Sequence, residues 1–158
     1  NEFRGQTFIE MEYIEGESLE EKIEKESLPF KTAVQIALQI AEGLKKAHQK
    51  GIVHRDIKPA NIILTDENEV KLMDLGISKT VADDRPADLT LAGMMVGSPY
   101  YVSPEQARAE KDIDWRADQY SLGASFYHMI VGELPYDSEN AMTIIAAHLS
   151  KPIPDPGA

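Results

Sequence analysis

The chain has 158 residues, 42% of them hydrophobic, and this length predicts one compact unit rather than two independent domains. Cysteine is absent, which excludes disulfides and thiolate metal sites, and a formal net charge of −11 argues against nucleic acid as a partner. No stretch reaches the roughly 20 consecutive apolar residues of a membrane helix. We therefore expect no membrane contact from this chain and a cytoplasmic location, although a longer parent protein could carry an anchor elsewhere.

The first third of the chain predicts a short strand followed by two helices. Bulky, strand-favouring side chains occupy residues 7–11, and Gly16 breaks this run before a polar helix over residues 18–25. From Pro29 onward, apolar residues recur at the spacing of one helix face, and Gly51 stands where such a helix would end. We expect a central amphipathic helix between Pro29 and Gly51.

The middle of the chain predicts short strands around polar loops. Apolar runs occupy residues 51–53, 62–64 and 70–73, with a turn over residues 66–68 between the last two. Residues 78–95 lack a clear period, which indicates a long exposed loop of a kind that often carries function.

Helical periodicity returns in the last third of the chain. It covers residues 118–131 and 141–149, and the Pro-rich residues 151–158 indicate a linker or a cut edge. Together, the elements predict an α+β fold that is mainly α-helical.

A polar segment between two predicted strands concentrates residues that can act chemically. Residues 54–61 read H-R-D-I-K-P-A-N, and strands at both ends would hold Asp56, Lys58 and Asn61 in fixed relative positions. Asp74 stands at the far end of the following hairpin, which would fold it back beside Asn61. Each residue alone also has a structural explanation, since Asp56 could cap a turn, Asp74 could end a strand and His54 could be a buried core histidine.

Five motifs, in order, resemble those of protein serine/threonine kinases of the bacterial eukaryotic-like type. Residues 54–61 are similar to the catalytic loop H-R-D-x-x-x-x-N, and residues 74–76 to D-F-G, with Leu75 replacing the usual Phe. Residues 97–105 resemble the substrate-binding loop that ends in A-P-E. Two further segments match: residues 11–14 resemble the hinge that receives adenine, and residues 118–123 resemble a central helix whose Asp braces the catalytic loop.

The resemblance implies roles in phosphoryl transfer for four polar residues. Asp56 would accept the proton of the substrate hydroxyl, and Lys58 would neutralise charge on the γ-phosphate. Asn61 and Asp74 would bind Mg²⁺, because this hard ion takes oxygen ligands. The ordered context of all the motifs favours this functional interpretation of the four residues over the structural explanations.

The resemblance also implies an ATP site. Met11 would be its gatekeeper, and the backbones of Glu12 and Ile14 would bind adenine. Ser18 stands where a ribose-contacting residue occurs, and Ile63 would form the floor of the adenine slot. An apolar core role is the alternative for Ile63, and both roles can hold together.

Substrate class follows, on this resemblance, from the lysine two positions after the catalytic aspartate. Lys58 in that place is the serine/threonine pattern, so protein substrates with Ser or Thr acceptors are expected. Ser98 in the substrate loop would hydrogen-bond Asp56 and Lys58. Glu105 in the same loop would lack its buried partner, because the helix that carries the pairing Arg in the family is not in the printed sequence.

Regulation is implied by Arg55, which precedes the catalytic aspartate and in the family marks kinases activated by phosphorylation. Lys79 would join Arg55, and a phosphate on Thr90 would bind both cations. The alternatives are that Thr90 is only a polar loop residue, or that Arg55 is neutralised permanently by Asp83, Asp84 or Asp88.

The resemblance implies a partial kinase domain over residues 1–158. Residues 1–17 would form the last N-lobe strand and the hinge, and residues 18–158 a C-terminal lobe without its final helices, truncated at both ends. No G-x-G-x-x-G occurs in the sequence, so the missing N-lobe would be a partner and the fragment alone is expected to be inactive. The alternatives are a pseudokinase-like interaction or regulatory module and a hydrolase that uses Asp56 and Asp74 as paired carboxylates.

Overall fold

The computed structural model describes residues 11–75 and 98–157, together with the backbone of residues 2–3 and 6–7. The described part is α+β and mainly helical, as predicted. Its strands are β1 (Glu2–Phe3), β2 (Gln6–Thr7), β3 (Glu17–Ser18), β4 (Ile62–Leu64) and β5 (Val70–Leu72). Its α-helices are α1 (Leu19–Lys25), α2 (Phe30–His48), α3 (Pro104–Ala107), α4 (Trp115–Val131) and α5 (Ala141–Ser150).

Helix α2 confirms the predicted central amphipathic helix. Pro29 is its N-cap residue, and the helix ends at His48 shortly before Gly51, whose φ of 72° lies in the left-handed region that glycine adopts without strain. One face of α2 is buried, namely Ala33, Ile36, Ile40, Leu44 and Ala47. This face packs against α4 and the small sheet, so α2 supports the loop between residue 48 and β4.

The small sheet has the order β3-β4-β5, with all strands antiparallel. Strands β4 and β5 confirm the predicted hairpin. Strand β3 was not predicted; it pairs with β4, with Ser18 opposite Ile63. Gly16 precedes β3 at a close approach, because a Cβ there would lie 2.4 Å from the carbonyl oxygen of Leu64. Only glycine fits at this position.

The strand predicted over residues 51–53 is wrong. These residues have no ladder partner in the described part of the chain, and Ile52 is 41% exposed. The amide of Ile52 instead donates to the carbonyl of Ala47, so the segment continues from the end of α2 as irregular backbone. Its apolar composition reflects a half-buried connection rather than a strand.

Two other element boundaries differ from the sequence prediction. Helix α4 begins at Trp115, three residues before the predicted start, because Asp114 caps it by accepting from the amide of Arg116 at 3.0 Å. The strand predicted over residues 7–11 overlaps β2 only at Thr7, while Met11 lies in irregular structure and residues 8–10 lie outside the described part. The predicted loop over residues 78–95 also lies outside it.

The main core joins α1, α2, the β4–β5 hairpin and the C-terminal end of α4. Ile57, inside the polar segment 54–61, and Ile62, directly after it, are 1% and 0% exposed and belong to this core. The polar segment is therefore anchored to the core at two apolar residues. Among the described residues, no helix has both the length and the hydrophobicity to cross a membrane.

Candidate active site

His54 is a structural residue of the polar segment. Its side chain is fully buried, and Nε2 lies 2.8 Å from the carbonyl oxygen of Met73. Because a carbonyl only accepts, Nε2 carries the proton, which leaves Nδ1 to accept from the amide of Asp56 at 3.4 Å. The expectation of a satisfied buried histidine is confirmed. Leu75, which replaces the Phe of the D-F-G motif, is 47% exposed.

The Asp118 side chain supports the polar segment through hydrogen bonds to its backbone. Its carboxylate is fully buried near the start of α4 and accepts from the backbone amides of His54 at 2.9 Å and Arg55 at 2.7 Å. A third donor is His48 Nε2 at the end of α2, at 2.7 Å. The bracing role expected of Asp118 is confirmed. A buried carboxylate with three donors is well satisfied, and it ties α2, α4 and the segment together.

Arg55 has a backbone conformation that needs support. Its φ is 68°, in the left-handed region, which costs about 1–3 kcal/mol for a residue with a side chain. Its amide is held by Asp118, and its carbonyl accepts from Gln106 Nε2 at 2.7 Å. The guanidinium donates to the carbonyl of Ile113 at 3.4 Å, while its buried Nε has no hydrogen-bond partner among the described residues.

Asp56, Lys58 and Asn61 form one cluster. Lys58 Nζ lies 2.9 Å from Asp56 Oδ2, and Asn61 Nδ2 donates to the same oxygen at 2.7 Å and to the backbone carbonyl of Asp56 at 2.8 Å. The Asp56 side chain is 40% exposed and that of Lys58 is 18% exposed. Asp56 Oδ1 accepts no hydrogen bond from the described residues, so it can accept from an incoming group.

The β4–β5 hairpin brings Met73, the residue before Asp74, to the backbone of Asn61. The amide of Met73 donates to the carbonyl of Asn61 at 2.9 Å, which continues the ladder past Leu72. Both hydrogen bonds of the Asn61 amide group run to Asp56, which leaves Asn61 Oδ1 without a donor among the described residues. An amide oxygen and the exposed carboxylate of Asp74 fit a hard divalent cation such as Mg²⁺.

The predicted nucleotide-contacting residues either precede β3 in the chain or lie in the paired strands β3 and β4. Met11 and Glu12 are exposed, and Ile14 is half buried. Ser18 faces Ile63 across the β3–β4 ladder, and Ile63 alternates with the buried Ile62 and Leu64 in β4. The ladder therefore brings Ser18 and Ile63 together. Ser18 also caps α1, because its Oγ accepts from the amide of Glu21 at 3.1 Å.

The described end of the substrate loop forms a short 3-10 turn over Pro99–Tyr101 followed by α3. Ser98 makes no hydrogen bond to Asp56 or Lys58 within the described residues, so the predicted contact is not made. Ser98 is exposed, and the partners of Asp56 Oδ2 are Lys58 and Asn61. Glu105 is half buried and forms no ion pair among the described residues.

Comparison with known proteins identifies the family. The sequence matches the family model described as the protein kinase domain over residues 3–154. The chain belongs to the protein kinase domain family. The fold is that of a C-terminal kinase lobe.

Curated relatives of this chain include bacterial serine/threonine-protein kinases. The chain is 40% identical over 145 residues to a probable serine/threonine-protein kinase of Clostridium perfringens, covering 91% of this chain and 21% of that one. It is 38% identical over 149 residues to the serine/threonine-protein kinase PknB of Mycobacterium leprae, covering 93% and 24%. The chain thus spans about a quarter of the length of the curated relatives it matches.

Two histidines that match none of the predicted site positions form hydrogen bonds to tyrosines in the C-terminal half of the chain. His128 Nδ1 lies 2.8 Å from the hydroxyl of Tyr101, and His148 Nδ1 lies 2.8 Å from that of Tyr120. Burial lowers the pKa of both histidines and raises that of Tyr120 to about 12. Neither histidine matches a catalytic motif. Their tyrosine partners lie far away in sequence, so only the packed structure shows these contacts.

The sequence analysis also missed the role of Gln106. The pattern Ser103-x-x-Gln106 is that of a capping box, and α3 has that box. Its further bond to Arg55 joins residues far apart in sequence, which no local pattern reveals. Of the predicted regulatory residues, Arg55 is described above, while Lys79 and Thr90 lie outside the described residues.

Proposed function

We propose that the intact protein is an ATP-dependent protein serine/threonine kinase that uses Mg²⁺. The observation that carries this proposal is the cluster of Asp56, Lys58 and Asn61. One oxygen of Asp56 accepts from both Lys58 and Asn61, and the other has no hydrogen-bond partner among the described residues. A hydrolase based on two carboxylates would need neither Lys58 nor Asn61. Membership of the kinase family and the names of the relatives support the same activity.

Asp56 is the residue that would meet the substrate hydroxyl. Its Oδ1 would accept the hydroxyl proton as the oxygen attacks phosphorus, while Lys58 and Asn61 hold Oδ2 in place. The attacking oxygen gains a bond to the γ-phosphorus, and the bond from that phosphorus to the ADP oxygen breaks. Because positioning and charge stabilisation dominate phosphoryl transfer, a preformed cluster is what the reaction requires.

Asn61 and Asp74 would hold Mg²⁺, and ATP would supply the phosphoryl group. The amide of Asn61 is oriented by its two bonds to Asp56, which directs its oxygen away from them. On the nucleotide side, Ser18 and Ile63 share one ladder position, and Met11, Glu12 and Ile14 precede β3 in the chain. The backbones of Glu12 and Ile14 would bind adenine.

An assay of the intact protein tests this function. With Mg-ATP and a generic basic protein, phosphate should appear on serine and threonine, and chelation of Mg²⁺ should abolish transfer. Asp74→Asn should lower transfer at least about 100-fold, because the site loses the charge of its carboxylate ligand. Asp66→Asn makes the same change in the exposed turn between β4 and β5 and should leave transfer unchanged.

Two results would contradict the proposal. Phosphotyrosine as the main product would contradict the serine/threonine assignment. Nucleotide binding without any transfer by the intact protein would instead favour a pseudokinase-like regulatory module.

We further propose that residues 1–158 alone transfer no phosphate and need an N-lobe as partner. The printed sequence contains neither a Gly-rich phosphate loop nor the strand lysine that accompanies it in kinases. Transfer by the isolated 158-residue chain that Asp56→Asn removes would contradict this. The net charge of −11 supports protein rather than nucleic-acid substrates, and a cytoplasmic location is where ATP is available.

A further inference from the structure

Gln106 makes a hydrogen bond that its role as a helix cap does not require. In the capping box of α3, Oε1 of Gln106 accepts from the amide of Ser103 at 3.2 Å, and Ser103 Oγ accepts from the amide of Gln106 at 3.4 Å. The remaining amide nitrogen of Gln106 donates to the carbonyl of Arg55 at 2.7 Å. The side chain thus joins the helix after the substrate loop to the catalytic loop.

The two partners fix the orientation of the Gln106 amide. A backbone N–H only donates and a carbonyl only accepts, so oxygen must face Ser103 and nitrogen must face Arg55. Glutamate serves equally well at this position of a capping box, as Glu21 does in α1. Glutamate at position 106, however, would have no proton for the carbonyl of Arg55. Glutamine can therefore both cap α3 and donate to Arg55, whereas glutamate can only cap α3.

The carbonyl that Gln106 binds belongs to the peptide bond that leads into Asp56. On the amide side of this peptide, the only bond among the described residues is the long 3.4 Å contact from Asp56 N to His54 Nδ1. On the carbonyl side is the 2.7 Å bond from Gln106. The hydrogen bond from Gln106 is therefore the shorter of the two that fix the peptide plane before Asp56.

We infer that Gln106 is a positioning residue for the catalytic aspartate. Together with Asp118, which holds the amide of Arg55 at 2.7 Å, it clamps both backbone groups of a residue in the left-handed conformation. It acts from α3, directly after the loop that would present the protein substrate, so substrate loop and catalytic loop keep one relative position. This inference rests on the proposed kinase activity for its consequence in catalysis.

The test is Gln106→Glu in the intact protein, which keeps the cap acceptor and removes the donor. We expect kcat to fall about tenfold, which is the effect of one lost hydrogen bond in the transition state, while KM for ATP stays unchanged. Gln35→Glu makes the same exchange at an exposed site on α2 and should leave kcat unchanged. A purely structural cap predicts full kcat for Gln106→Glu.

Hydrogen exchange provides a readout that does not depend on activity. The amide of Arg55 should exchange about tenfold faster in Gln106→Glu than in Gln35→Glu, because its residue has lost one of two clamps. Unchanged exchange together with unchanged kcat would overturn the inference. If Asp56→Asn leaves transfer intact, the proposed function fails, and the exchange rate of Arg55 alone then decides whether Gln106 holds the loop.

Discussion

The polar segment 54–61 has two halves that are held in different ways. The supporting half consists of His54 and Arg55. It is held by hydrogen bonds to α3, to α4 and to the residue after β5, and the side chains of His54 and Asp118 are buried. The reactive half, Asp56, Lys58 and Asn61, is fixed by bonds among its own residues and is partly exposed. Rigidity comes from distant parts of the chain, and reactivity from neighbours in sequence.

This division separates stability from chemistry within a segment of eight residues. Loss of a partner in the supporting half leaves buried polar groups unsatisfied, which is costly to folding. Loss of a side chain in the reactive half leaves groups that water can reach, which costs little stability but removes chemistry. The predictions below change one half at a time.

The largest expected effect is on the supporting half. Asp118→Ala removes the acceptor of three donors, so the free energy of unfolding should fall by about 3–5 kcal/mol. Denaturant unfolding followed by circular dichroism measures this. Asp114→Ala removes the exposed N-cap of the same helix and should lower the free energy of unfolding much less. Equal losses for the two variants would contradict the division.

A substitution in the reactive half should show the opposite pattern. Lys58→Met keeps an unbranched side chain of similar length but removes the charge, so kcat for phosphate transfer should fall about 100-fold. The free energy of unfolding should change by less than about 1 kcal/mol, because the Asp56–Lys58 pair is partly exposed. A loss of stability comparable to that of Asp118→Ala would show that the two halves are not separate.

The buried Nε of Arg55, in the supporting half, has no hydrogen-bond partner among the described residues. We propose that a phosphate on Thr90 binds Arg55 and Lys79, so Thr90→Ala in the intact protein should lower kcat about tenfold or more. Arg55→Ala should do so similarly, and the double variant should be no worse than either, since both remove one interaction. An active protein with unmodified Thr90 in phosphosite mapping would contradict this switch.

The smallest expected effect lies outside both halves, at the histidines beside the substrate loop. Burial lowers the pKa of His128 and His148 from the ordinary value of 6.5, so the unfolded chain binds protons more readily. Their contribution to stability is fully present above pH 6.5 and decreases as the pH falls below it. Unfolding measured from pH 7.5 to 5.5 should show a weaker decrease for His148→Gln than for the unsubstituted protein.

The sequence predicted those parts of the fold whose signal is local. Helix α2 has strong apolar periodicity between Pro29 and Gly51, and the β4–β5 hairpin has two apolar runs around a polar turn. Strand β3 was not foreseen, because Glu17 and Ser18 become a strand only by pairing with β4, far along the chain. The start of α4 was placed late, because its first turn carries no apolar period and Asp114 was not recognised as its cap.

The candidate site divides along the same line. Asp56, Lys58 and Asn61 lie within one short motif, so their proximity followed from the sequence. Gln106 was missed and Ser98 was placed wrongly, because the position of the substrate loop relative to the catalytic loop depends on tertiary packing. Motifs indicate which residues can react, and long-range hydrogen bonds decide which of them meet.

The central claim, that the reactive half carries the chemistry and the supporting half the rigidity, is tested most directly with Asp56→Asn. In one preparation of the intact protein, phosphate transfer to serine and threonine and the midpoint of thermal unfolding should be measured together. We predict a loss of about 10²–10⁴-fold in kcat with an unchanged midpoint. Retained transfer, or a fall in the midpoint as large as that of Asp118→Ala, would contradict the account.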